Sequence, residues 1–270
     1  MKIAISGVGL IEDNGKRKSI DLSHLPRQVR TITRAEDLVL CAAQKAIENA
    51  KLSVQNNACS TGLVLGVDEA VDDYKTRFFC ELLSEGAEGV SPLLFPFTSP
   101  NAISAQVSIA FGIKGENIAI ANGFLSSGKA IAYSIDMLRL RKVKAVITGG
   151  VSPACAAILT LEDFDIATKR KAKVYGEIMG YGETSTGGRD HAINLALNEA
   201  GQTFEEVDCF WVNDYAENIL KKPLPIKIFN SNGSVSLAKA VIDSLLTMKG
   251  KTKVVTIGKP FGSSLSIVIK

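Results

Sequence analysis

Histidine is nearly absent from this chain, which has 270 residues but only His24 and His191. Two histidines cannot form a histidine-rich metal site, and the five cysteines contain no CxxC pair that would supply one instead. We therefore expect no bound metal ion, and nothing else in the sequence calls for a cofactor. An odd number of cysteines with mostly apolar neighbours is typical of reduced, buried thiols, which favours a reducing compartment.

Long apolar runs are also missing, and none reaches the length that a membrane-spanning helix needs. Residues 1–7 form a strand that enters a glycine turn, which is too short for a secretory signal. Aromatic residues make up 6% of the chain, apolar residues 46% and charged residues 22%, the composition of a globular protein with a sizeable core. We expect a cytoplasmic protein that does not bind a membrane.

Neither sign of charge is in large excess, since 31 basic and 28 acidic residues give a net charge of +3. Such a balance does not indicate nucleic-acid binding. Basic residues do cluster twice, at Arg139–Lys144 and at Lys169–Lys173. Runs of this kind are usually solvated turns or helix ends, and a docking patch for an acidic carrier is the alternative.

The hydrophobic pattern alternates between strand and helix periodicity, and it does so twice. In the first half we predict strands at Lys2–Val8, Thr61–Val67, Ile118–Ala121, Lys144–Ile147 and Ala156–Leu161, and helices at Arg34–Leu52 and Ser126–Arg141. In the second half we predict strands at Val174–Met179, Asp208–Val212, Lys253–Ile257 and Leu265–Ile269, and helices at Asp190–Ala200 and Val235–Met248. Between the second and third strands, the stretch up to Pro100 is predicted to be rich in loops.

The repeated halves predict an α/β fold. Each half ends with a long helix, a basic turn, a strand closing on glycine and a final strand, as a comparison of residues 144–150 with 253–259 illustrates. Strands that are apolar on both faces need helices on both sides of a mostly parallel or mixed sheet. We therefore predict two sheets packed through shared central helices, with an N-terminal half at 1–165 and a C-terminal half at 166–270 in one compact body.

The segment Gly123–Lys129 satisfies the GxxxxGK pattern of a phosphate-binding loop between a strand and a helix. The next residue is Ala130, so the hydroxyl that ligates Mg²⁺ in such loops is missing. A P-loop-like nucleotide-binding protein therefore stays an alternative. Two weaker matches fail, because Gly7-Val8-Gly9 lacks the third glycine of a dinucleotide site and Ser185 lies between two threonines.

Motifs along nearly the whole chain resemble those of a β-ketoacyl-ACP synthase, in the same order and spacing. The segments that carry the resemblance are Ser91–Asn101, Phe111–Gly115, Ser127–Ile131, Thr148–Gly150, Ile158–Glu162, Lys173–Gly182 and the glycine-rich tail Gly258–Ser264. Each motif alone is only moderately specific. Together they imply a thiolase-like fold, a layered αβαβα body built from two duplicated halves.

The resemblance also implies three catalytic positions, and all three are changed in this chain. The cysteine nucleophile, expected at the start of a helix, corresponds to Phe124, which can neither accept an acyl group nor donate a hydrogen bond. The two histidines correspond to Tyr215 and Gly233, and the lysine usually near the second is matched only ambiguously by Lys227. We therefore predict no catalytic residues and no condensation by this chain alone.

What remains of the resemblance implies a chain length factor, or ketosynthase β subunit, of type II polyketide and aryl-polyene systems, and the short length is most similar to the aryl-polyene kind. Such a subunit forms a heterodimer with an active β-ketoacyl-ACP synthase and meets the acyl carrier protein indirectly. The strand that pairs across the heterodimer corresponds to Asn117, Ile118, Ala119, Ile120 and Ala121. The loop that reaches the partner's acyl tunnel corresponds to Leu94, Phe95 and Phe97, and local core packing is the alternative role for these three side chains.

Two further alternatives keep the same fold. Residual thioester or decarboxylation chemistry would have to use Tyr215, Ser126 or Ser127, none of which has a histidine base predicted nearby. A homodimeric scaffold would differ only in which surfaces meet.

Overall fold

The computed structural model describes residues 1–13, 23, 25–27, 29, 31, 33–213, 225–230, 233–258 and 262–270. Ten strands lie in these ranges: β1 Ile3–Glu12, β2 Thr61–Gly66, β3 Asn117–Ile120, β4 Ala145–Ser152, β5 Cys155–Asp163, β6 Gly176–Thr184, β7 Cys209–Asn213, β8 Ile226–Phe229, β9 Lys253–Gly258 and β10 Ser264–Ile269. Seven α-helices accompany them: α1 Arg34–Ala50, α2 Asp72–Glu85, α3 Asn101–Phe111, α4 Ser126–Arg139, α5 Phe164–Lys169, α6 Gly188–Ala200 and α7 Ser236–Thr247. None of the helices in these ranges combines the length and the apolar character that crossing a membrane requires.

The strands form one mixed sheet in the order β3-β2-β4-β5-β1-β6-β10-β9-β7-β8. When the five strands of each half are numbered in chain order, both halves have the same arrangement. From the outer edge inward it is the third, second, fourth, fifth and first strand. The halves meet where β1 runs antiparallel to β6 over three residue pairs, with Ala4 opposite Glu177 in the middle. The predicted duplication is therefore confirmed, although the two halves of the sheet are joined edge to edge instead of forming separate sheets.

Helices lie in three layers around the strands. α1 and α3 pack on the outer face of the first half, and α6 covers the outer face of the second. α4 and α7 lie between the halves, where buried side chains such as Ile135, Leu237 and Leu265 form a shared core. This is the predicted layered αβαβα arrangement, and it brings the starts of the two central helices together.

Helix α1 shows how the sequence sets local structure in the first half. Thr33 and Glu36 form a capping box, in which the Glu36 N–H donates to Thr33 Oγ1 at 2.9 Å and the Thr33 N–H donates to Glu36 Oε2 at 2.8 Å. Gly7 and Gly9 of β1 face this helix, and a Cβ at Gly9 would lie only 1.9 Å from the Ala42 carbonyl oxygen. The glycines of the failed dinucleotide motif are therefore packing residues inside a strand.

Four elements escaped the sequence prediction, namely α2, α3, α5 and β8. Helix α2 lies in the stretch up to Pro100 that we expected to be rich in loops, and it buries only Tyr74, so its apolar periodicity is weak. Strand β8 is short and lies at the sheet edge, with Ile228 67% exposed. α2, α5 and β8 make few buried contacts, which is why the hydrophobic pattern does not reveal them. α3 was missed although five of its eleven side chains are buried.

Glycine-containing strands are longer than predicted. β4 runs through Gly149–Gly150 to Ser152, and β6 begins at Gly176 and ends at Thr184. Glycine lowers strand propensity, but within these strands it allows neighbouring backbone to approach closely. The predicted boundary between residues 165 and 166 falls inside α5, between β5 and β6, and it stays a prediction.

Candidate functional site

The N-terminal ends of α4 and α7 meet at one end of the central layer. A short 3-10 turn precedes each helix, Gly123–Leu125 before α4 and Gly233–Val235 before α7, and the two turns touch. Each turn opens with a glycine in the left-handed region, with φ 54° at Gly123 and 65° at Gly233. The predicted positions Phe124 and Gly233, which come from opposite halves, therefore belong to one site.

Two consecutive carboxylates, Asp68 and Glu69, cover these helix starts. The Gly123 N–H donates to Asp68 Oδ2 at 2.7 Å, and the Ser234 N–H donates to Glu69 Oε1 at 2.7 Å. Ser234 Oγ also lies 2.9 Å from the same Glu69 oxygen and 2.5 Å from the carbonyl oxygen of Val151. Free N–H groups at a helix start attract anions, and here the protein's own carboxylates occupy them.

The Glu69 carboxylate occupies the space that a side chain at Gly233 would need. A Cβ there would lie only 2.0 Å from Glu69 Oε1, and the left-handed backbone disfavours any other residue independently. Gly150 is equally confined, because its Cβ would lie 2.7 Å from Ser127 Cβ and from the Ser234 carbonyl oxygen. The position that the resemblance assigns to a catalytic histidine therefore has no room for one while Glu69 is in place.

The serine hydroxyls that the enzymatic alternative would use are buried and engaged. Ser126 Oγ accepts a hydrogen bond from the Asn122 N–H at 2.7 Å and donates to the Gly123 carbonyl at 2.7 Å. Ser127 Oγ accepts from the Ala238 N–H at 3.3 Å. Both side chains are fully buried, so they stabilise the start of α4 and its contact with α7 rather than facing a substrate.

Phe124 lies in the middle of the turn before α4, half-buried against the shared core. Its ring offers neither a nucleophile nor a hydrogen-bonding group. Tyr215 and His24 lie outside the described residues. His191 lies exposed in α6 and Lys227 lies in the edge strand β8, so the structure groups only Phe124 and Gly233 among the predicted catalytic positions that it describes.

The buried cysteines are poor nucleophiles. Burial, with a smaller contribution from Glu12, raises the pKa of Cys155 to about 11, and burial also raises the pKa of Cys209. A raised pKa keeps a thiol protonated at neutral pH. The predicted apolar surroundings are wrong for Cys59 and Cys80, which are exposed, because flanking sequence alone does not reveal which side of a turn or an outer helix faces water.

The GxxxxGK segment does not form a phosphate-binding loop. Its first N–H, that of Gly123, is already paired with a carboxylate, and Lys129 Nζ lies 2.6 Å from Glu183 Oε1 in an ion pair between the halves. Gly128 serves packing, since a Cβ there would lie 2.8 Å from Leu237 Cδ2. The structure therefore does not support the nucleotide-binding alternative.

The three predicted tunnel residues have different environments. Leu94 is buried, Phe97 is half-buried, and Phe95 is 65% exposed. Phe95 and Phe97 line a cavity of about 420 Å³ together with residues of α3. The Phe95 ring also packs against Phe78 of α2, with 5.7 Å between ring centroids. The structure thus places two of the three at one surface cavity, while Leu94 is buried and does not line that cavity.

The predicted interface strand lies at one edge of the sheet. β3 pairs with β2 through Asn117–Ile120 and with no other strand of the described chain, and Ala121 lies just beyond it. The carbonyls of Glu116 and Ile120 accept hydrogen bonds from the β2 side, so the N–H and C=O of Ala119 face the open side. An open edge of this kind is a template for pairing with another chain.

Asp68 and Glu69 are site residues that sequence reasoning missed. A signal was available, because they follow β2 almost directly, and β2 is parallel to both β3 and β4. The carboxyl ends of parallel strands meet at one sheet edge, where ligand-facing residues of α/β folds collect. Two acidic residues directly after β2 are therefore expected to lie near the start of the helix that follows β3.

Comparisons with known proteins bear on the family. The family described as "Beta-ketoacyl synthase, N-terminal domain" matches residues 10–165. A 3-oxoacyl-[acyl-carrier-protein] synthase 2 of Staphylococcus aureus is 24% identical over 226 residues, covering 65% of this chain and 56% of that protein. Nodulation protein E of Rhizobium sp. (strain N33) is 24% identical over 226 residues, covering 67% of this chain and 56% of that protein. The chain thus spans about half the length of the curated relatives it matches.

Solved structures share the fold at low identity. The ishigamide ketosynthase/chain length factor superposes with a TM-score of 0.83 at 14% identity, covering 99% of this chain and 98% of that one. AntDE:AntF, a type II PKS acyl-carrier protein in complex with its ketosynthase bound to the hexaketide, gives 0.81 at 12% identity, covering 100% and 99%. The predicted thiolase-like fold is therefore confirmed. The family match covers more than half of the residues of this chain. The chain therefore belongs to the β-ketoacyl synthase family.

Proposed function

We propose that this chain is a chain length factor, a ketosynthase homologue without condensing activity of its own. It pairs with an active β-ketoacyl-ACP synthase and shapes that partner's acyl tunnel in polyketide or aryl-polyene biosynthesis. The structural similarity to a chain described as a ketosynthase/chain length factor supports this role. The short sequence between the family motifs favours the aryl-polyene kind.

One observation carries the proposal, and it is the start of α4. Condensation needs a nucleophile there and free N–H groups that stabilise an oxyanion. Phe124 supplies no nucleophile, and the Gly123 N–H is bound to Asp68. The neighbouring helix start is filled in the same way by Glu69. Loss of the nucleophile alone would not require Asp68 and Glu69 to bind these N–H groups. Their contacts fit a site in which the packing has changed at both helix starts.

The remaining features give the chain a route to influence a partner. The open edge of β3 can extend the sheet into a second chain. Phe95 and Phe97 border a cavity at the surface, where apolar bulk would limit the space available to a growing acyl chain. The acyl carrier protein delivers its thioester to the active partner, because only that subunit holds a nucleophile. Its contact with this chain is therefore indirect.

Co-expression with candidate ketosynthases, followed by size-exclusion chromatography and mass spectrometry of the products, tests this role. We expect a one-to-one heterodimer and a change in product length when this subunit is omitted. Identical turnover and products in its absence would contradict the proposal. A stable homodimer that binds no ketosynthase would instead support the homodimeric scaffold.

A further inference from the structure

The two basic clusters of the sequence meet at one cleft. The cleft has a volume of about 400 Å³ and lies between α5 and the end of α4 that is remote from Phe124. Arg141 and Lys144 from the first cluster and Lys169 from the second line it. Folding therefore concentrates cations that are distant in sequence around one cavity, away from the site described above.

The three cations form no ion pair with the residues that the structure describes. In the part of the chain that the structure describes, no side-chain hydrogen bond or ion pair engages Arg141, Lys144 or Lys169. Lys142, in the same turn, differs because it lies 3.8 Å from Glu116 and does not line the cleft. Unpaired cations on a concave surface create a local positive potential that attracts anions.

Two carboxylates also line the cleft, those of Asp163 and Asp165. Asp163 caps α5, because its Oδ1 accepts hydrogen bonds from the Asp165 N–H at 2.9 Å and from the Ile166 N–H at 3.1 Å. That carboxylate is therefore engaged by the helix start. The lining therefore has three cationic side chains against two carboxylates, which leaves an excess of positive charge.

Arg141 is held in left-handed backbone, with φ 55°, at a helix end where glycine is favoured. The Arg141 N–H donates to the Leu138 carbonyl and the Lys142 N–H donates to the Met137 carbonyl, both at 3.0 Å, which fixes this conformation. An arginine in this position costs stability relative to glycine. Lys51 and Lys171 adopt the same conformation after α1 and α5, so it is how these helices end, and at α4 it places the Arg141 side chain at the cleft.

We propose that this cleft binds a small organic phosphate. The planar guanidinium of Arg141 can pair with two phosphate oxygens, and Lys144 and Lys169 add charge on the other walls. Leu138, Val143 and Ile166 contribute apolar surface to the same cleft. Its volume exceeds what inorganic phosphate fills and falls in the range of small-ligand sites, so the ligand carries an apolar group beside its phosphate. This inference is independent of the proposed function.

The test compares two substitutions that relieve the same backbone strain. Arg141→Gly removes a cation from the cleft. Lys171→Gly is the matched control, because Lys171 is also left-handed, with φ 56°, and follows α5, but it does not line the cleft. Glycine suits both positions, so we expect both variants to fold with a Tm at or above that of the parent. Isothermal titration at low salt, with phenyl phosphate and with inorganic phosphate, measures binding to the purified chain.

We expect phenyl phosphate to bind saturably and more tightly than inorganic phosphate. Arg141→Gly should raise its Kd by about tenfold or more, since a charge-assisted hydrogen bond is lost. Lys171→Gly should leave the Kd unchanged. Absence of saturable binding would overturn the proposal, as would an unchanged Kd in Arg141→Gly or an equal loss in both variants, which would indicate diffuse electrostatic attraction.

Discussion

Glu69 and Ser234 join the two halves of the protein at the start of α7, where the Ser234 N–H donates to Glu69 Oε1 at 2.7 Å. Glu69 follows β2 in the first half, and Ser234 precedes α7 in the second. Asp68 makes the matching contact with Gly123 at the start of α4. One acidic dipeptide therefore neutralises the positive ends of two helices that the internal repeat relates to each other.

Removing the Glu69 carboxylate should destabilise the fold. We expect Glu69→Ala to lower the free energy of unfolding by about 2 kcal/mol, because the buried Ser234 N–H loses its acceptor. Urea unfolding followed by circular dichroism measures the change. Glu88→Ala, at an exposed position, is the control and should shift the value by less than about 0.5 kcal/mol. Equal effects of the two substitutions would show that the contact does not stabilise the helix start.

Restoring a thiol at the helix start should not restore condensation. Phe124→Cys supplies a nucleophile, but the Gly123 N–H stays bound to Asp68, and the Glu69 carboxylate occupies the space beside Gly233, where the family has a histidine. We expect no 3-oxoacyl product from this variant alone when it is supplied with acyl and malonyl thioesters. Phe124→Ala is the matched control, since it loses the ring without gaining a thiol. Product formation by Phe124→Cys above that control would contradict the account.

The cavity beside α3 predicts an effect on product length. In the heterodimer, Phe95→Ala should enlarge the cavity and lengthen the products without abolishing condensation by the partner. Leu83→Ala, on α2 and 85% exposed, is the control and should change nothing. Leu94→Ala is expected to act on stability first, lowering the free energy of unfolding by about 2–4 kcal/mol, because Leu94 is buried. An unchanged product distribution in Phe95→Ala would remove that residue from the tunnel.

The open edge of β3 predicts a variant that folds but does not pair. Ala119→Pro removes an N–H that faces away from β2, so we expect the chain itself to fold and the heterodimer to be lost. Ala119→Val keeps the N–H and should still pair. Size-exclusion chromatography of co-expressed chains distinguishes the two variants. A heterodimer that forms equally well with both would place the interface elsewhere.

A tyrosine between the halves predicts an alkaline limit to stability. The Tyr181 hydroxyl donates to Asp136 Oδ2 at 2.9 Å, and burial together with Asp136 raises the pKa of Tyr181 to about 12 from its ordinary value of 10.0. The unfolded chain releases this proton at a lower pH than the folded chain does. Protonated Tyr181 therefore makes its full contribution to the free energy of unfolding below pH 10, and this contribution is lost as pH rises towards 12. We expect Tyr181→Phe to flatten the fall in unfolding free energy across that window, and equal slopes would contradict this.

Much of the fold could be predicted from the sequence, because apolar periodicity is a local property. The central helices α4 and α7 and the strand β2 were predicted close to their observed bounds, since each buries most of one face or both. The elements α2, α5 and β8 were not predicted, because few of their side chains are buried. Helix α3 was also missed, although five of its side chains are buried. Whether such an element packs against the core depends on tertiary contacts, and the hydrophobic pattern of one segment does not encode these contacts.

The site was only partly predictable for the same reason. Phe124 and Gly233 emerged from a resemblance of motifs, which identifies positions but not their surroundings. Asp68 and Glu69 match no motif, and their role exists only once β2, α4 and α7 have come together. The basic cleft was visible as two clusters of charge, but their convergence is a property of the folded chain.

The most direct test of the central claim is intact-mass spectrometry of both chains of the heterodimer during turnover with acyl carrier thioesters. The account predicts a stoichiometric acyl adduct on the ketosynthase partner and none on this chain. An acyl intermediate that forms on this chain and turns over at the catalytic rate would contradict it.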